Sequence, residues 1–209
     1  MLKSHSFEIA MQKLYNTPAE LQTALASAIH GNKDLPKHDL VYDDVLIDQD
    51  MISSIQDLNI LVTQSHVRDR GNQPPPSKGI IALFDGSSSS SKILIANLLA
   101  TQAGVETTMV DLSKVVSKYI GETEKNLTKI FDEADKSGNI LFFDEADALF
   151  GKRSNVKDSH DRYANIELAY FTTLAENRSG LTIVSVKSKT NLDEAFLRRL
   201  RTTISFPKK

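Results

Sequence analysis

One lysine and two neighbouring acids have the residue types needed to bind and attack a phosphate group. Lys92 follows Gly86 and a run of five serines, and Asp144 with Glu145 follows an apolar run at 140–143. A lysine at a helix start can contact phosphate oxygens. One carboxylate can support Mg²⁺, and its neighbour can polarise a water molecule for attack on phosphorus. This chemistry requires a fold that brings the three side chains together.

The two acids stand where an open α/β sheet binds its ligand. Four consecutive apolar residues at 140–143 predict a strand that is buried on both faces, as in a parallel sheet covered by helices. Ligands of such sheets bind beyond the carboxyl ends of the strands. On these residues alone, a strand followed by a solvated Asp-Glu turn is the favoured interpretation, so the surrounding chain must decide.

The lysine lies in a segment that matches part of a phosphate-binding motif. Gly86 and Lys92 have the spacing of G-x-x-x-x-G-K-[ST], in which backbone N–H groups cradle the phosphates. Ser91 stands where the second glycine belongs, and Ile93 stands where the Mg²⁺-binding hydroxyl belongs. A flexible serine-rich loop is the alternative interpretation. The candidate phosphate-binding residues are Gly86, Ser87, Ser88, Ser89, Ser90, Ser91, Lys92 and Ile93.

An alternation of strands and helices is predicted to position these residues. From Gly79 onward, apolar runs of strand length alternate with segments of helical spacing. Repeated βα units imply a five-stranded parallel sheet with right-handed crossovers and helices on both faces. The predicted strands lie at 80–84, 107–110, 140–143, 181–186 and 202–206, and the predicted helices lie at 92–102, 122–136 and 161–177.

The first 78 residues are predicted to be distinct from this sheet. Residues 1–38 form a helical segment with two short helices within 5–31, the second starting at Thr17 with Pro18 in its first turn. Residues 39–78 hold an amphipathic helix at about 49–68 and a proline-rich connector at 70–76. The α/β unit then occupies 79–209.

Composition excludes several classes of protein. Lys+Arg 25 against Asp+Glu 27 gives a net charge of -2, so no overall basic field favours nucleic acid. With Cys 0, disulfides and thiolate metal sites are excluded. The N-terminus lacks the apolar core of a signal peptide, and no stretch is long and apolar enough to cross a membrane. We therefore expect a cytoplasmic protein that binds neither nucleic acid nor membrane.

Four motifs in order resemble a known family. Residues 79–206 are similar to the large α/β domain of AAA+ ATPases, a P-loop NTPase-like fold. Residues 140–153, ILFFDEADALFGKR, resemble the Walker B strand, and 115–127 resemble the segment from pore loop 1 into the next helix. Residues 193–201 resemble the second region of homology, and Tyr42-Asp43-Asp44 resembles the start of the domain. The run at 157–165 looks most like bacterial and phage-type members.

The resemblance implies roles for individual residues. Lys92 would contact the β- and γ-phosphates of ATP, Asp144 would support Mg²⁺, and Glu145 would activate water. Arg198 and Arg201 would reach the γ-phosphate held by a neighbouring subunit, which implies a homo- or hetero-oligomeric ring. The simpler interpretation of these arginines is a basic helix end favoured by the helix dipole.

The resemblance also implies a substrate-contacting loop. Tyr119, Ile120 and Gly121 would form a pore loop that grips an extended protein substrate or partner. Without the family match, Tyr119 is an ordinary exposed aromatic residue.

Several positions depart from the family pattern. Ser89 and Ser91 replace glycines, and a positive φ at either position would cost a non-glycine residue about 1–2 kcal/mol. Ile93 cannot coordinate Mg²⁺, and Lys187 stands where an asparagine usually orients the attacking water, so it could pair with Glu145 instead. The sequence also lacks the family's C-terminal helical lid. We expect ATP binding with weakened hydrolysis; the alternative is a non-hydrolysing pseudo-ATPase that acts as an assembly or adaptor subunit.

Overall fold

The computed structural model describes residues 13–14, 40–42, 45–69, 79–117, 119, 121–150 and 159–206. Its strands are β1 (Lys13–Leu14), β2 (Leu40–Tyr42), β3 (Val45–Ile47), β4 (Ile80–Gly86), β5 (Thr107–Asp111), β6 (Ile140–Asp144), β7 (Leu181–Val186) and β8 (Thr202–Phe206). Its helices are α1 (Gln49–Asp69), α2 (Ser89–Ala103), α3 (Leu112–Val115), α4 (Glu122–Ser137), α5 (Asp147–Phe150), α6 (Ser159–Asn177) and α7 (Glu194–Leu197), and a 3₁₀ turn lies at Lys189–Asn191.

Five parallel strands form the sheet that positions the site. The strand order is β5-β6-β7-β4-β8, and every neighbouring pair is parallel. The chain leaves β4 near one side of the sheet, crosses to β5 at the far edge, and returns through β6 and β7. All five carboxyl ends consequently meet at one edge. The predicted α/β fold with a five-stranded parallel sheet is confirmed.

Burial on both faces explains why the strands are apolar without alternation. In β6, Ile140 and Phe142 pack in a core with α1 and α2, whereas Leu141 and Phe143 pack in a second core with α4 and α6. Successive side chains of a strand point to opposite faces, so each needs an apolar partner. The helices therefore lie on both faces of the sheet, as predicted.

Aromatic rings stabilise the core beneath α4 and α6. The rings of Phe131 and Phe143 stack with centroids 5.5 Å apart, and Phe171 meets Phe143 edge-on at 4.9 Å. Aromatic pairs of this geometry contribute about 0.5–1.5 kcal/mol each beyond the burial of their area. They fix the two helices against β6, whose carboxyl end carries the two acids.

The helix at the start of the described domain was predicted closely. The predicted helix at about 49–68 appears as α1, and Met51, Ile52, Ile55, Leu58 and Val62 are buried. Their spacing forms one apolar face that packs against α2 and β8. In the described parts of the chain, no helix combines the length and apolar character that a membrane span requires.

Three short strands precede this helix and were not predicted. Leu40–Tyr42 pairs antiparallel with Val45–Ile47 and parallel with Lys13–Leu14. Lys13–Leu14 lies in a segment predicted to be helical, and sheet hydrogen bonds to a distant segment override that local pattern. The rest of the predicted helical segment at 1–38, together with the connector at 70–76, lies outside the described residues.

A buried arginine ties several elements together and was missed by sequence reasoning. Arg178 is 3% exposed and donates from Nε to Asp135 Oδ1 at 3.1 Å. Its guanidinium also donates to the carbonyls of Asn139 at 2.7 Å and Leu181 at 3.3 Å. Burial lowers its pKa, and Asp135 opposes this shift. The side chain thus links α4 to the starts of β6 and β7.

Replacing Arg178 with methionine should lower the free energy of unfolding by about 2–4 kcal/mol, because two largely buried carbonyls lose their donor. Urea denaturation measures this. The matched change Arg199→Met removes an ion pair to Glu176. The side chain of Arg199 is 54% exposed. This change should cost under about 1 kcal/mol. Equal losses in the two variants would contradict the structural role assigned to Arg178.

Candidate functional site

The predicted site residues meet at the carboxyl edge of the sheet. One small pocket is lined by Gly86, Lys92, Asp144 and Glu145, with serines of the segment between β4 and α2. Gly86 ends β4 and Asp144 ends β6, while Lys92 lies in the first turns of α2. The lysine and the two acids that are distant in sequence are therefore brought together.

Lys92 is buried and points into the sheet edge. It is 2% exposed, and its Nζ donates to Ser185 Oγ at 3.1 Å and to the carbonyl oxygen of Val186 at 2.7 Å. Burial lowers the pKa of Lys92, and the neighbouring carboxylates, led by Asp144 and Asp85, oppose this shift. The amine is therefore held by protein groups in the position where a phosphate would be expected to contact it.

Ser185 connects the lysine to the first acid. Its Oγ accepts from Lys92 and donates to Asp144 Oδ1 at 2.9 Å, and the residue is 1% exposed. The same carboxylate oxygen accepts from the backbone N of Glu145 at 3.0 Å. Sequence reasoning missed Ser185. The available signal was a hydroxyl near the carboxyl end of the apolar strand at 181–186.

Glu145 occupies an unusual backbone conformation. Its φ is 52°, and no other non-glycine residue among those described has a positive φ. This left-handed conformation costs an L-residue about 1–2 kcal/mol, so the surrounding structure must hold it. The next residue supplies one restraint, since the backbone N of Ala146 donates to the carbonyl of Ser185 at 3.0 Å.

Lys187 forms an ion pair with Glu145. Its Nζ lies 2.9 Å from Glu145 Oε2, with the lysine side chain 69% exposed and the glutamate 45% exposed. The hydrogen bond to Glu145 raises the pKa of Lys187, so the lysine stays protonated at neutral pH. The predicted pairing is confirmed.

Acids from two other elements hold the loop that carries Lys187. The backbone N of Lys187 donates to Asp147 Oδ2 at 2.9 Å, and the backbone N of Lys189 donates to Asp85 Oδ1 at 2.9 Å. Asp147 was not among the predicted site residues. Its role is to fix the backbone from which Lys187 reaches Glu145.

The serine segment forms a capped helix start. Helix α2 begins at Ser89, three residues before the predicted start at 92, and Ser88 is its N-cap, accepting from Ser91 N at 3.3 Å. None of the serines at 87–91 has a positive φ. The condition under which Ser89 and Ser91 would be strained, a positive φ, is therefore not met, because both residues adopt the helix.

Ile93 faces the protein interior. Its partly buried side chain packs against the core that includes α1 and α2. A hydrocarbon side chain offers no oxygen to Mg²⁺, a cation that is usually held by one or two carboxylates, waters and substrate phosphates. The oxygen ligands that this pocket could offer to Mg²⁺ are therefore carboxylates, among them Asp144. Among the described residues, no three His, Asp or Glu side chains are grouped as a metal site.

The free space in the pocket is small. Its volume is about 10 Å³, near the space that one water molecule requires. Lys92 contributes to the lining of this space while it is held by Ser185 and Val186. A groove of about 320 Å³ between α6 and α7 is larger, but the predicted site residues do not line it.

The two candidate arginines lie away from this pocket. The backbone N of Arg201 donates to the carbonyl of Ile81 at 2.8 Å, which places it at the amino end of β4. The five residues of β8 span about 17 Å, so Arg201 sits at the opposite edge of the sheet. Arg198 lies 3.8 Å from Glu194 and its side chain is 80% exposed. Within one chain, the structure does not bring either arginine to Lys92.

The candidate pore loop lies between α3 and α4. Tyr119 is 73% exposed, and its backbone N donates to Ser117 Oγ at 3.2 Å. The backbone N of Ser117 in turn donates to Thr123 Oγ1 at 3.0 Å. Gly121 precedes α4 with a φ of 82°, and Ile120 lies outside the described residues. The loop thus presents a large aromatic side chain to solvent from an anchored base.

Comparison with known proteins gives a family match over the pocket-bearing region. The sequence profile of the family described as "ATPase family associated with various cellular activities (AAA)" matches residues 82–208. The chain is 29% identical over 199 residues to the ATPase family gene 2 protein of Schizosaccharomyces pombe. The aligned region covers 92% of this chain and 24% of that protein.

Two further relatives match shorter stretches. The peroxisomal ATPase PEX6 of Candida glabrata is 33% identical over 121 residues, covering 56% of this chain and 12% of that protein. The uncharacterized AAA family ATPase y4kL of Sinorhizobium fredii is 32% identical over 126 residues, covering 59% of this chain and 38% of that protein. The chain spans well under half the length of each of these three relatives.

Proposed function

The chain belongs to the AAA family of ATPases, and we propose that it binds ATP at the carboxyl edge of its sheet and hydrolyses it as a subunit of an oligomeric ring. The observation that carries the proposal is the contact chain from Lys92 through Ser185 to Asp144. A lysine and a carboxylate lie on either side of one hydroxyl, at the edge where such sheets bind ligands, and this supports the proposal.

The residues of the pocket divide the work of nucleotide binding. Lys92 exchanges its contacts with Val186 and Ser185 for the β- and γ-phosphates. The start of α2 and the backbone beside Gly86 supply N–H groups toward the anion. Asp144 supports Mg²⁺, which neutralises phosphate charge when bound. Glu145 accepts the proton of the attacking water.

Oligomerisation is proposed because Arg201 and the pocket lie at opposite edges of one subunit. Arg201, held at the amino end of β4, cannot reach its own pocket across about 17 Å of strand. A head-to-tail arrangement of subunits brings one edge to the other and closes into a ring. Arg198 and Arg201 would then complete the neighbour's site. Tyr119, exposed on its loop, would contact a protein substrate in the centre of that ring.

Mixing two inactive variants tests both parts of the proposal. Lys92→Ala and Arg201→Ala should each lose most ATP turnover alone, the first through its pocket and the second through its neighbour's pocket. In a random equal mixture about one quarter of the interfaces join an intact pocket to an intact arginine, so turnover should return to about one quarter of the parent rate. A phosphate-release assay measures it.

The controls separate assembly from chemistry. ATP binding to isolated Arg201→Ala subunits should match the parent, because the arginine lies outside their own pocket. Recovery should vanish when both changes are placed in the same chain and that double variant is mixed with Lys92→Ala. If the mixture of single variants stays inactive while the parent turns over ATP, the proposed trans arrangement is wrong.

A second candidate function is a non-hydrolysing pseudo-ATPase that serves as an assembly or adaptor subunit. The ion pair between Lys187 and Glu145 and the apolar side chain of Ile93 favour it, because both remove groups on which hydrolysis depends. MgATP binding by calorimetry without phosphate release, at any protein concentration, would support this candidate over the first. Robust release that disappears in Glu145→Gln would exclude it.

A further inference from the structure

Three consecutive residues, the last two of β7 and the one that follows it, contact Lys92, Asp144 and Glu145 of the pocket. Ser185 contacts Lys92 and Asp144, and the carbonyl of Val186 accepts from Lys92. Lys187 pairs with Glu145 at 2.9 Å. In the proposed function, Lys92 exchanges its contacts with Ser185 and Val186 for phosphate oxygens. The ion pair between Lys187 and Glu145 is partly exposed to solvent and is separate from those contacts.

We propose that Lys187 is a positioning residue that restrains Glu145, so that the chain retains ATP and hydrolyses it slowly until this ion pair opens. The proposal rests on the proposed function, since it concerns the regulation of the same pocket.

The restraint is built from both partners. Lys187 is anchored by its backbone N to Asp147 Oδ2 at 2.9 Å, so only its side chain needs to move to release Glu145. Glu145 is held in a left-handed backbone conformation with φ 52° by two hydrogen bonds. Its own backbone N donates to Asp144 Oδ1, and the backbone N of Ala146 donates to the carbonyl of Ser185. Neither backbone can drift away from the other while these hydrogen bonds persist.

The local charges also favour the closed pair. Lys187 interacts with the carboxylates of Asp147 and Asp144 in addition to Glu145, all of which favour its protonated form. The pair itself is part-exposed, so solvent and salt screen it. Backbone hydrogen bonds keep the two side chains within reach, but the ion pair between them can open. Such a pair can regulate hydrolysis without abolishing it permanently.

The pair interferes directly with the proton transfer of hydrolysis. In that reaction the water oxygen bonds to the γ-phosphorus while the bond from phosphorus to the β–γ bridging oxygen breaks and leaves its electron pair on ADP. The proton of the water passes to Glu145. An ammonium group 2.9 Å from Oε2 occupies that oxygen, so the oxygen is not free to accept a proton from the attacking water.

Four variants, measured as purified full chains, test the inference. Lys187→Ala should raise kcat for ATP at least about tenfold with less change in the Kd for MgATP, because it frees the base and leaves Lys92 in place. Lys187→Arg keeps a cation at the position and should stay near the parent. Lys189→Ala removes the same charge two residues along the loop and should change nothing. Lys187→Ala combined with Glu145→Gln should lose the gain.

Calorimetric binding of MgATP to each sample distinguishes the outcomes. Binding by all variants with a rise in kcat confined to Lys187→Ala supports the inference. Binding with unchanged kcat in Lys187→Ala overturns it, and a fall in kcat overturns it by showing that Lys187 acts on the phosphate itself. A rise that survives Glu145→Gln also overturns it. Failure of the parent chain to bind MgATP would instead refute the proposed function on which the inference depends.

Discussion

Lys92→Ala should raise the Kd for ATP at least about 100-fold, since two charge-assisted hydrogen bonds to phosphate are worth about 3 kcal/mol or more together. Lys92 is the one lysine of the pocket that lies buried at its base, 2% exposed. Among the described residues that line the pocket, the other cation is Lys187, which is at the mouth and engaged with Glu145. Isothermal calorimetry with MgATP measures the loss.

Two controls accompany this prediction. Lys189→Ala removes an exposed lysine from the adjoining loop and should leave the Kd for ATP unchanged. Urea unfolding of Lys92→Ala must show a cooperative transition, because the change also leaves the carbonyl of Val186 without its lysine donor. An unaltered Kd in a folded Lys92→Ala protein would place the nucleotide elsewhere and would end the assignment of this pocket.

Gly86→Ala should lower the free energy of unfolding by about 3–5 kcal/mol, because it combines backbone strain with a steric clash. Gly86 has a φ of 143°, and a Cβ at this position would lie 2.4 Å from the carbonyl oxygen of Phe206. That oxygen belongs to the backbone of the neighbouring strand, which cannot yield without separating β8 from β4. Urea denaturation reports the loss.

Two other glycines provide matched controls for strain without a clash. Gly121 and Gly138 also have positive φ values, 82° and 71°, but a Cβ at either would meet nothing within 4 Å. Their alanine variants should therefore lose only about 1–2 kcal/mol. Equal losses at all three positions would show that the approach of Phe206 to Gly86 carries no energetic weight.

The sheet could be predicted because its signal is local. Each central strand is a short apolar run, and both faces of the sheet are covered, so periodicity and length identify the strands without knowledge of their neighbours. The strands at 181–186 and 202–206 were predicted to the residue. The carboxyl-edge position of Asp144 and Glu145 follows from the same pattern, as does their approach to Lys92.

The contacts within the pocket depend on distant pairs and were largely beyond sequence reasoning. Nothing near Ser185 in the chain indicates that its hydroxyl lies between Lys92 and Asp144, 93 and 41 residues away. Arg178 likewise reads as an ordinary surface residue after a helix, yet it is buried. Lys187 was the exception, since its position in the family pattern suggested the pairing with Glu145.

The roles of the arginines and of the pore loop remain predictions. Their elements are placed, with Arg201 at the amino end of β4 and Tyr119 exposed before α4, but their function depends on contacts between subunits. The mixing experiment tests those contacts directly.

The side chain at position 93 affects both the packing of the core and the capacity of the pocket to bind a metal ion. At the position where a metal-binding hydroxyl would serve catalysis, the chain carries a branched hydrocarbon that adds contact to the core with α1 and α2. Restoring a hydroxyl would withdraw that contact and bring a polar atom toward an apolar neighbourhood. Packing and metal binding thus favour opposite side chains at position 93, so a hydroxyl introduced there would come at the expense of core contact.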